Sequence, residues 1–361
     1  MRSRRQFLQG AGIAGILAAG TAPAIVRPQE VLRWRLASSF PKSLDNLYAP
    51  AERFAKSISD ATGGRFQVSV YAGGELVPPF SIVDAVQNGT VDCGHTAAYY
   101  YFGKDETFAF DCTIPFGMNS RQQTAWMFDG NGLELLRAFY AKYDIVNFPM
   151  GNTGAQMGGW YRNPIKSADD LKGLRMRIGG FGGRVLERLG VLPQNIPGGE
   201  VYSALEKGTI DATEFVGPYD DLRLGLYRVA PYYYFPAWWE GGAQLTLYVG
   251  TQAWNALSPE YKAILQQAAS DAHVYMQARY DARNPAALKQ LIAEGAKLSR
   301  MPRDVMDAAF KASREVYAEL NDRNPEWRKI YGDYARFLAE QYQWEPIAEG
   351  SYNQYMGAMR L

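Results

Sequence analysis

An eight-residue unit occurs twice, once in each half of the chain. Ala85-Val86-Gln87-Asn88-Gly89-Thr90-Val91-Asp92 is matched by Ala204-Leu205-Glu206-Lys207-Gly208-Thr209-Ile210-Asp211. Each copy reads as a helix end, a glycine stop and the start of a strand that carries an aspartate. Glycine suits the stop because helices commonly end on a left-handed residue, where a side chain is strained. Such a unit is common in α/β proteins, but its recurrence once per half favours two similar lobes. A chain of 361 residues is long enough for two domains.

The flanking patterns agree. Leu32 to Ala37 alternates apolar and polar residues as a strand does, and Ser38 to Ser43 follows as a loop. A helix is predicted from about Leu47 to Thr62, ended by Gly63-Gly64, and a second strand from Phe66 to Val70. Ile82 to Asn88 reads as a helix closed by Gly89. This alternation predicts an α/β sheet with mixed or parallel strands. The Gly-rich stretch Gly151 to Trp160 either crosses between lobes or lines a cleft. After the turn at Asp170 to Gly173, Leu174, Met176 and Ile178 share one strand face, and Arg175 and Arg177 the other. The aromatic run Tyr232 to Trp239 is either core or cleft wall. Leu245 to Gly250 reads as another strand, and Ser258 to about Gln343 is mostly helical by pattern.

The N-terminus reads Ser3-Arg4-Arg5-Gln6-Phe7-Leu8, then an uncharged stretch, then Ala22-Pro23-Ala24. This predicts a twin-arginine signal peptide over residues 1–24, cleaved near Ala24, and a mature protein outside the cytoplasm. The apolar run is about half of the roughly 20 residues a membrane anchor needs. Export permits a disulfide between Cys93 and Cys112, but two cysteines in a large chain are better read as buried thiols. The net charge of +1, without a Lys/Arg stripe interleaved with aromatics, argues against nucleic acid as a partner.

The chemistry of most enzyme classes is missing. His95 and His273 stand in different regions without further ligands at metal spacing, which argues against a transition-metal site. No G-x-S-x-G element is present, and Gly180-Phe181-Gly182-Gly183-Arg184-Val185 breaks the dinucleotide pattern at its third glycine. The expectation is therefore a protein that binds and does not transform. Four polar residues stand at predicted strand ends or loops: Gln156, Arg177, Glu214 and Glu240. A planar guanidinium grips a carboxylate with two parallel hydrogen bonds, although Arg177 also fits a surface charge. Glu214, flanked by apolar residues, is either paired or near a cation.

At these residues the chain resembles the periplasmic solute-binding proteins of tripartite ATP-independent (TRAP) transporters, and within them the α-keto acid-binding branch. The matching blocks are Trp34 to Ser43, Gly74 to Pro78, His95 to Asp105, Gly151 to Trp160, Met176 to Phe181, Ala204 to Asp221 and Ala230 to Gly242. The resemblance spans Trp34 to about Tyr355. It implies a two-lobed α/β periplasmic binding protein fold, type II-like and of the TRAP subclass, with a long connecting helix and strands. The expected division is 30–153 plus 243–310 for the first lobe, and 154–242 plus 311–361 for the second with the C-terminal helices. By motif match, Arg177 grips the ligand carboxylate, while Gln156, Glu214, Phe215 through its backbone and Glu240 surround a cation. Gln156, Phe215, Tyr100, Tyr101 and Asn152 complete the ligand contacts. The family's keto-acid binder has Trp where this chain has Phe215, so pocket shape differs there.

The charge argument agrees with that picture. An organic acid, Glu214 and Glu240 outweigh Arg177, and a cation that favours oxygen ligands offsets the excess. Sodium is the first expectation and calcium the alternative. The resemblance further implies delivery of a 2-oxo monocarboxylate, pyruvate or a longer α-keto acid, to a membrane permease, and a homodimer with Ala286 to Leu298 as candidate contact. The alternatives are a 2-hydroxy acid such as lactate, an exported oxidoreductase, or a sensor lobe serving a receptor.

Overall fold

The computed structural model describes residues 31–359, so the expected signal peptide lies outside the described residues. The strands are β1 (Leu32–Ser38), β2 (Phe66–Tyr71), β3 (Cys93–Thr96), β4 (Ile145–Asn152), β5 (Trp160–Tyr161) and β6 (Arg175–Arg177). They continue with β7 (Leu192–Gln194), β8 (Ala212–Thr213), β9 (Tyr232–Phe235), β10 (Gln244–Gly250) and β11 (Lys297–Arg300). Alternation on β1 turns Trp34 and Leu36 inward onto Phe54, Ile58 and Phe66, and Arg33 and Arg35 outward.

Two sheets form. The first has the order β2-β1-β3-β10-β4 and the second β11-β9-β5-β8-β6-β7. Each contains a parallel triplet, β2-β1-β3 in one and β7-β6-β8 in the other. Each triplet is then joined by an antiparallel strand, β10 beside β3 and β5 beside β8.

The repeated unit builds the same local structure in both. Helix Ile82–Gln87 passes through Gly89 (φ +72°) into β3, and helix Val201–Glu206 passes through Gly208 (φ +70°) into β8. Asp92 accepts the Arg35 N–H at 2.7 Å and returns its own N–H to the Arg35 carbonyl at 3.1 Å. Asp211 does the same with Arg175, at 3.2 and 2.7 Å. The aspartate thus ties each helix exit to the neighbouring parallel strand.

The chain crosses between lobes at 153–159 and at 236–243. Helix Pro259–Ala293 packs on helix Asp45–Ala61 and β4 in the first lobe, and on helix Pro218–Leu224 in the second. The expected division differs from the sheets at two places. Strand β11, inside the range 243–310, pairs with β9 in the second sheet. Helix Pro325–Trp344, expected with the second lobe, packs against the segments Glu106–Asp111 and Gly132–Tyr140, the latter lying on β4. It straps the lobes together. The aromatic run resolves toward core: Tyr233 stacks on Trp160 with centroids 3.8 Å apart, and both donate to Asp221. Cys93 and Cys112 are free and buried. Among the described residues, no helix is long and apolar enough to cross a membrane.

Candidate functional site

A small cavity, with ≈ 20 Å³ of free space, lies where the carboxyl ends of the strands of both sheets converge, the usual place for a ligand in open α/β sheets. Phe40 follows β1, Ala97, Tyr99 and Tyr100 follow β3, Thr153 and Gln156 follow β4, and Phe215 and Val216 follow β8. Arg177 ends β6, and Leu47, Ala243 and Leu245 complete the wall.

Arg177 is not a surface charge: it is 1% exposed and its partner Glu214 is 0% exposed. Its Nε donates to the Ile196 carbonyl at 3.0 Å, and its Nη1 to the Glu214 carbonyl at 3.1 Å and to Glu214 Oε1. The fork is therefore partly used within the protein, and Nη2 meets no protein acceptor among the described residues. The Phe215 ring lies 5.4 Å from the guanidinium carbon and holds its plane.

The oxygen atoms carry the clearest signal. Glu214 Oε1 also accepts the Gly179 N–H at 2.9 Å, which fixes the carboxylate, yet Oε2 has no partner. Gln156 donates its amide nitrogen to Thr153 Oγ1 at 3.2 Å, which turns Oε1 away, and that atom has no partner either. Glu240 Oε2 is likewise buried and unpaired. The Gln156 N–H donates to the Glu240 carbonyl at 3.2 Å, so the two crossing segments hold these side chains together. Leaving a buried acceptor unmade costs roughly 1–3 kcal/mol, and more for a charged one. Two carboxylate oxygens and an amide oxygen, without sulfur or imidazole, are the donor types that suit a hard cation. No group of three or more His, Cys, Asp and Glu at metal-binding spacing occurs among the described residues.

Electrostatics point the same way. Burial pushes Glu240 well above the usual carboxylate range, and the Glu214 charge pushes it further, against Arg177, Tyr99 and Gln156. Burial also raises Glu214, opposed by Arg177 and the Gly179 N–H. Burial lowers Arg177, but Glu214, Tyr100, Tyr99 and Glu240 together outweigh it and hold the guanidinium above its usual range.

The structure places Gln156, Arg177, Phe215 and Tyr100 on the cavity wall, with Glu214 and Glu240 buried next to them, Glu214 paired with Arg177 and the Glu240 carbonyl accepting the Gln156 N–H. It does not bring Tyr101 or Asn152 to the cavity wall. The Tyr101 hydroxyl pairs with Thr96 Oγ1 at 3.1 Å among core rings, and Asn152 Oδ1 accepts the Gly154 N–H at 2.9 Å. Tyr99 and Thr153 take those places. The tyrosines lie in a 3₁₀ turn, Ala98–Tyr101, where residues three apart eclipse. Tyr101 therefore follows buried Ala98 into the core, while Tyr99 and Tyr100 face the cleft.

The broken glycine run serves packing. A Cβ on Gly179 or Gly180 would meet Tyr99 at 2.7 and 2.5 Å, and one on Gly182 would meet Trp239 at 2.9 Å. On this side of the cleft Phe102 stacks on Phe181 with centroids 4.8 Å apart. On the other side the contact is polar. Asp45 of the first lobe accepts from Tyr219 at 3.1 Å and lies 3.3 Å from Arg223 of the second. Arg279 at 2.8 Å and Arg283 at 3.1 Å from the long helix complete its shell.

The family model described as DctP, bacterial extracellular solute-binding protein, family 7, matches residues 37–324. A monocarboxylate 2-oxoacid-binding periplasmic protein of Nostoc sp. is 46% identical over 324 residues, 90% of this chain and 89% of that protein. A TRAP transporter solute-binding protein from Bordetella bronchiseptica, solved with copurified calcium and picolinate in a mixed-occupancy dimer, is 49% identical. It superposes with a TM-score of 0.90 over 91% of this chain and 98% of that one. The corresponding protein of Pseudoalteromonas atlantica, with sodium and pyruvate bound, is 37% identical with a TM-score of 0.87, covering 90% and 99%.

Proposed function

Because the chain belongs to the DctP family of bacterial extracellular solute-binding proteins, the solute receptors of TRAP transporters, we propose that it captures 2-oxo monocarboxylates together with a cation. The observation that carries this reading is the trio of buried, unpartnered oxygens on Gln156, Glu214 and Glu240 beside the Arg177 guanidinium. A 2-oxo acid has a carboxylate oxygen and a keto oxygen placed to chelate one cation. Pyruvate and picolinate, found in the related structures, share that motif of a carboxylate next to a second donor. Lactate shares it too and is the second reading. Arg177 Nη2 receives the carboxylate, and Gln156, Glu214 and Glu240 hold the ion, sodium or calcium, with the Phe215 carbonyl at the same edge.

On this reading the protein binds without transforming: pyruvate incubated with stoichiometric protein should be recovered unchanged by NMR. Export by the twin-arginine route, residence in the periplasm, delivery to permease subunits and pairing into a homodimer belong to the same reading. The deciding experiment is titration calorimetry of chelator-treated protein with pyruvate, lactate and longer 2-oxo acids, with and without Na⁺ or Ca²⁺. Cation-dependent binding of 2-oxo acids is expected. Equal binding in the absence of both ions removes the cation from the reading, and no binding of any of these acids overturns it.

A further inference from the structure

Resting on that reading, we propose that the Tyr100 ring is the partition that sets how long a carbon chain the receptor accepts. The ligand cavity, with only ≈ 20 Å³ of free space, has a neighbour, an outward groove of ≈ 260 Å³. Tyr99 and Tyr100 line both spaces. The groove begins at Ile178, one residue beyond the Arg177 carboxylate anchor, and continues along Phe102, Gly180, Gly183 and Pro193. Phe102, Ile178, Pro193 and the bare glycine backbone offer apolar contact to an aliphatic tail, and Arg184, Glu187 and Asn195 complete the lining.

The two tyrosines are held differently. Tyr99 is locked in: its ring fills the space that a Cβ on Gly179 or Gly180 would need, and it stands next to Glu240. Tyr100 is half-buried and held by ring packing, with centroids 4.7 Å from Phe80, 5.0 Å from Tyr99 and 6.5 Å from Phe40. No hydrogen bond ties its hydroxyl within the described residues. Tyr100 is therefore the removable part of the wall. An acid anchored by its carboxylate and keto oxygen must keep its tail inside the smaller space while the ring stands. With the ring gone, the tail runs on into the groove.

The test is calorimetry at saturating cation with straight-chain 2-oxo acids from pyruvate to 2-oxooctanoate, on wild type, Tyr100→Ala, Tyr100→Leu and Tyr100→Phe. Wild type should prefer short chains. Each newly buried methylene contributes about fourfold in affinity. Tyr100→Ala should therefore raise the ratio of 2-oxooctanoate to pyruvate affinity by at least about tenfold. Tyr100→Leu should shift the ratio in the same direction by less, and serves equally if the alanine variant does not fold. Tyr100→Phe should keep the wild-type chain-length profile. An unchanged profile in a folded alanine or leucine variant overturns the proposal, as does a phenylalanine variant that shifts like alanine. Wild type that binds none of the series overturns the underlying reading and this inference together, a different result from a profile that fails to move.

Discussion

In the first lobe β1 and β3 pair Ser38 with His95; in the second, β6 and β8 pair Arg177 with Thr213. Aligning the Arg35–Asp92 clasp with the Arg175–Asp211 clasp carries Ala37 onto Arg177 and His95 onto Glu214. The aligned positions thus hold Ala37 and an uncharged His95 in one lobe and the Arg177–Glu214 ion pair in the other. His95 is buried, its Nδ1 lies 3.4 Å from Ser38 Oγ, and burial lowers its pKa to about 3, so it carries no charge. The first lobe adds Phe40, Leu47, Ala97 and the two tyrosines. On the proposed function, one lobe anchors the charged head of the ligand and the other covers it with apolar surface.

The largest expected effect breaks that asymmetry directly. Removing one partner of a buried ion pair costs about 3–5 kcal/mol, while replacing both with apolar residues is often neutral or stabilising. Arg177→Met and Glu214→Leu should each lower unfolding free energy by about that amount, and the double variant should recover most of it. All three should lose acid and cation binding. In the first lobe, His95→Leu should cost about 1 kcal/mol and leave binding within a few-fold. Urea unfolding and calorimetry on the same preparations decide the matter. A double variant as unstable as the sum of its singles, or one that still binds pyruvate, refutes the division of labour.

The next prediction concerns pH. The Glu240 carboxyl lies well above 4.5 in the folded chain because of burial and the neighbouring Glu214. Above pH 4.5 the native state keeps a proton that the unfolded state has released, so the ligand-free protein loses stability as pH rises through that window. A cation displaces this proton. The gain in melting temperature on adding Ca²⁺ should therefore grow from pH 5 to pH 8, and Glu240→Gln should flatten that growth. Asp220 and Asp221, both pushed up to about 7 by burial, add a decline of the same sign. Glu240→Gln leaves that decline in place, so the cation-dependent part isolates the pocket. A calcium shift that falls as pH rises contradicts the assignment.

A smaller effect belongs to the polar edge of the cleft. Every partner of Asp45 is cationic or a hydroxyl, and together they hold its carboxyl below the usual range against burial. This acid is satisfied where Glu240 is not, and its contacts with Tyr219 and Arg223 make it a candidate latch between the lobes. The carboxylate is 35% exposed, and partly solvated pairs contribute about 1 kcal/mol or less. Asp45→Asn should raise the dissociation rate of a bound 2-oxo acid by about fivefold or less, with association and cation dependence unchanged. Stopped-flow tryptophan fluorescence separates the two rates, and a change confined to association counts against the latch.

Much of this was legible in the sequence because it is local. The repeated unit, the alternation on β1 and the Arg175–Arg177 face are written in neighbouring residues. The polar residues of the pocket were found by family motif, and their burial then explained why they are there. What stayed hidden depends on rotation or distance. Nothing in Tyr99-Tyr100-Tyr101 tells which ring faces the cleft until the 3₁₀ turn sets the spacing. Thr153 replaces Asn152 at the wall because β4 ends between them. Strand β11 joins the second sheet through a parallel pairing with β9 across more than sixty residues, which no local pattern encodes.

The smallest effect sharpens the comparison at its root. If both lobes share one unit, the same mutation in each copy must cost the same. Gly89 and Gly208 have φ of +72° and +70°, and a Cβ at either meets nothing within 4 Å. Packing therefore drops out, and only the backbone matters. A left-handed conformation costs an ordinary residue about 1–2 kcal/mol. Alanine recovers roughly 0.4–1 kcal/mol of that by restricting the unfolded chain. Gly89→Ala and Gly208→Ala should each lower stability by about 0.5–1 kcal/mol, equal within experimental error, and the double variant by their sum, since the sites share no partners. Ligand affinity should not change, because the ion-pair positions lie beyond the clasp in both lobes. Asn, which tolerates the left-handed region, should be milder than Ala at both sites. Two unequal costs would mean that the matching sequence folds into units with different local strain, and the correspondence of His95 with Glu214 would lose its footing.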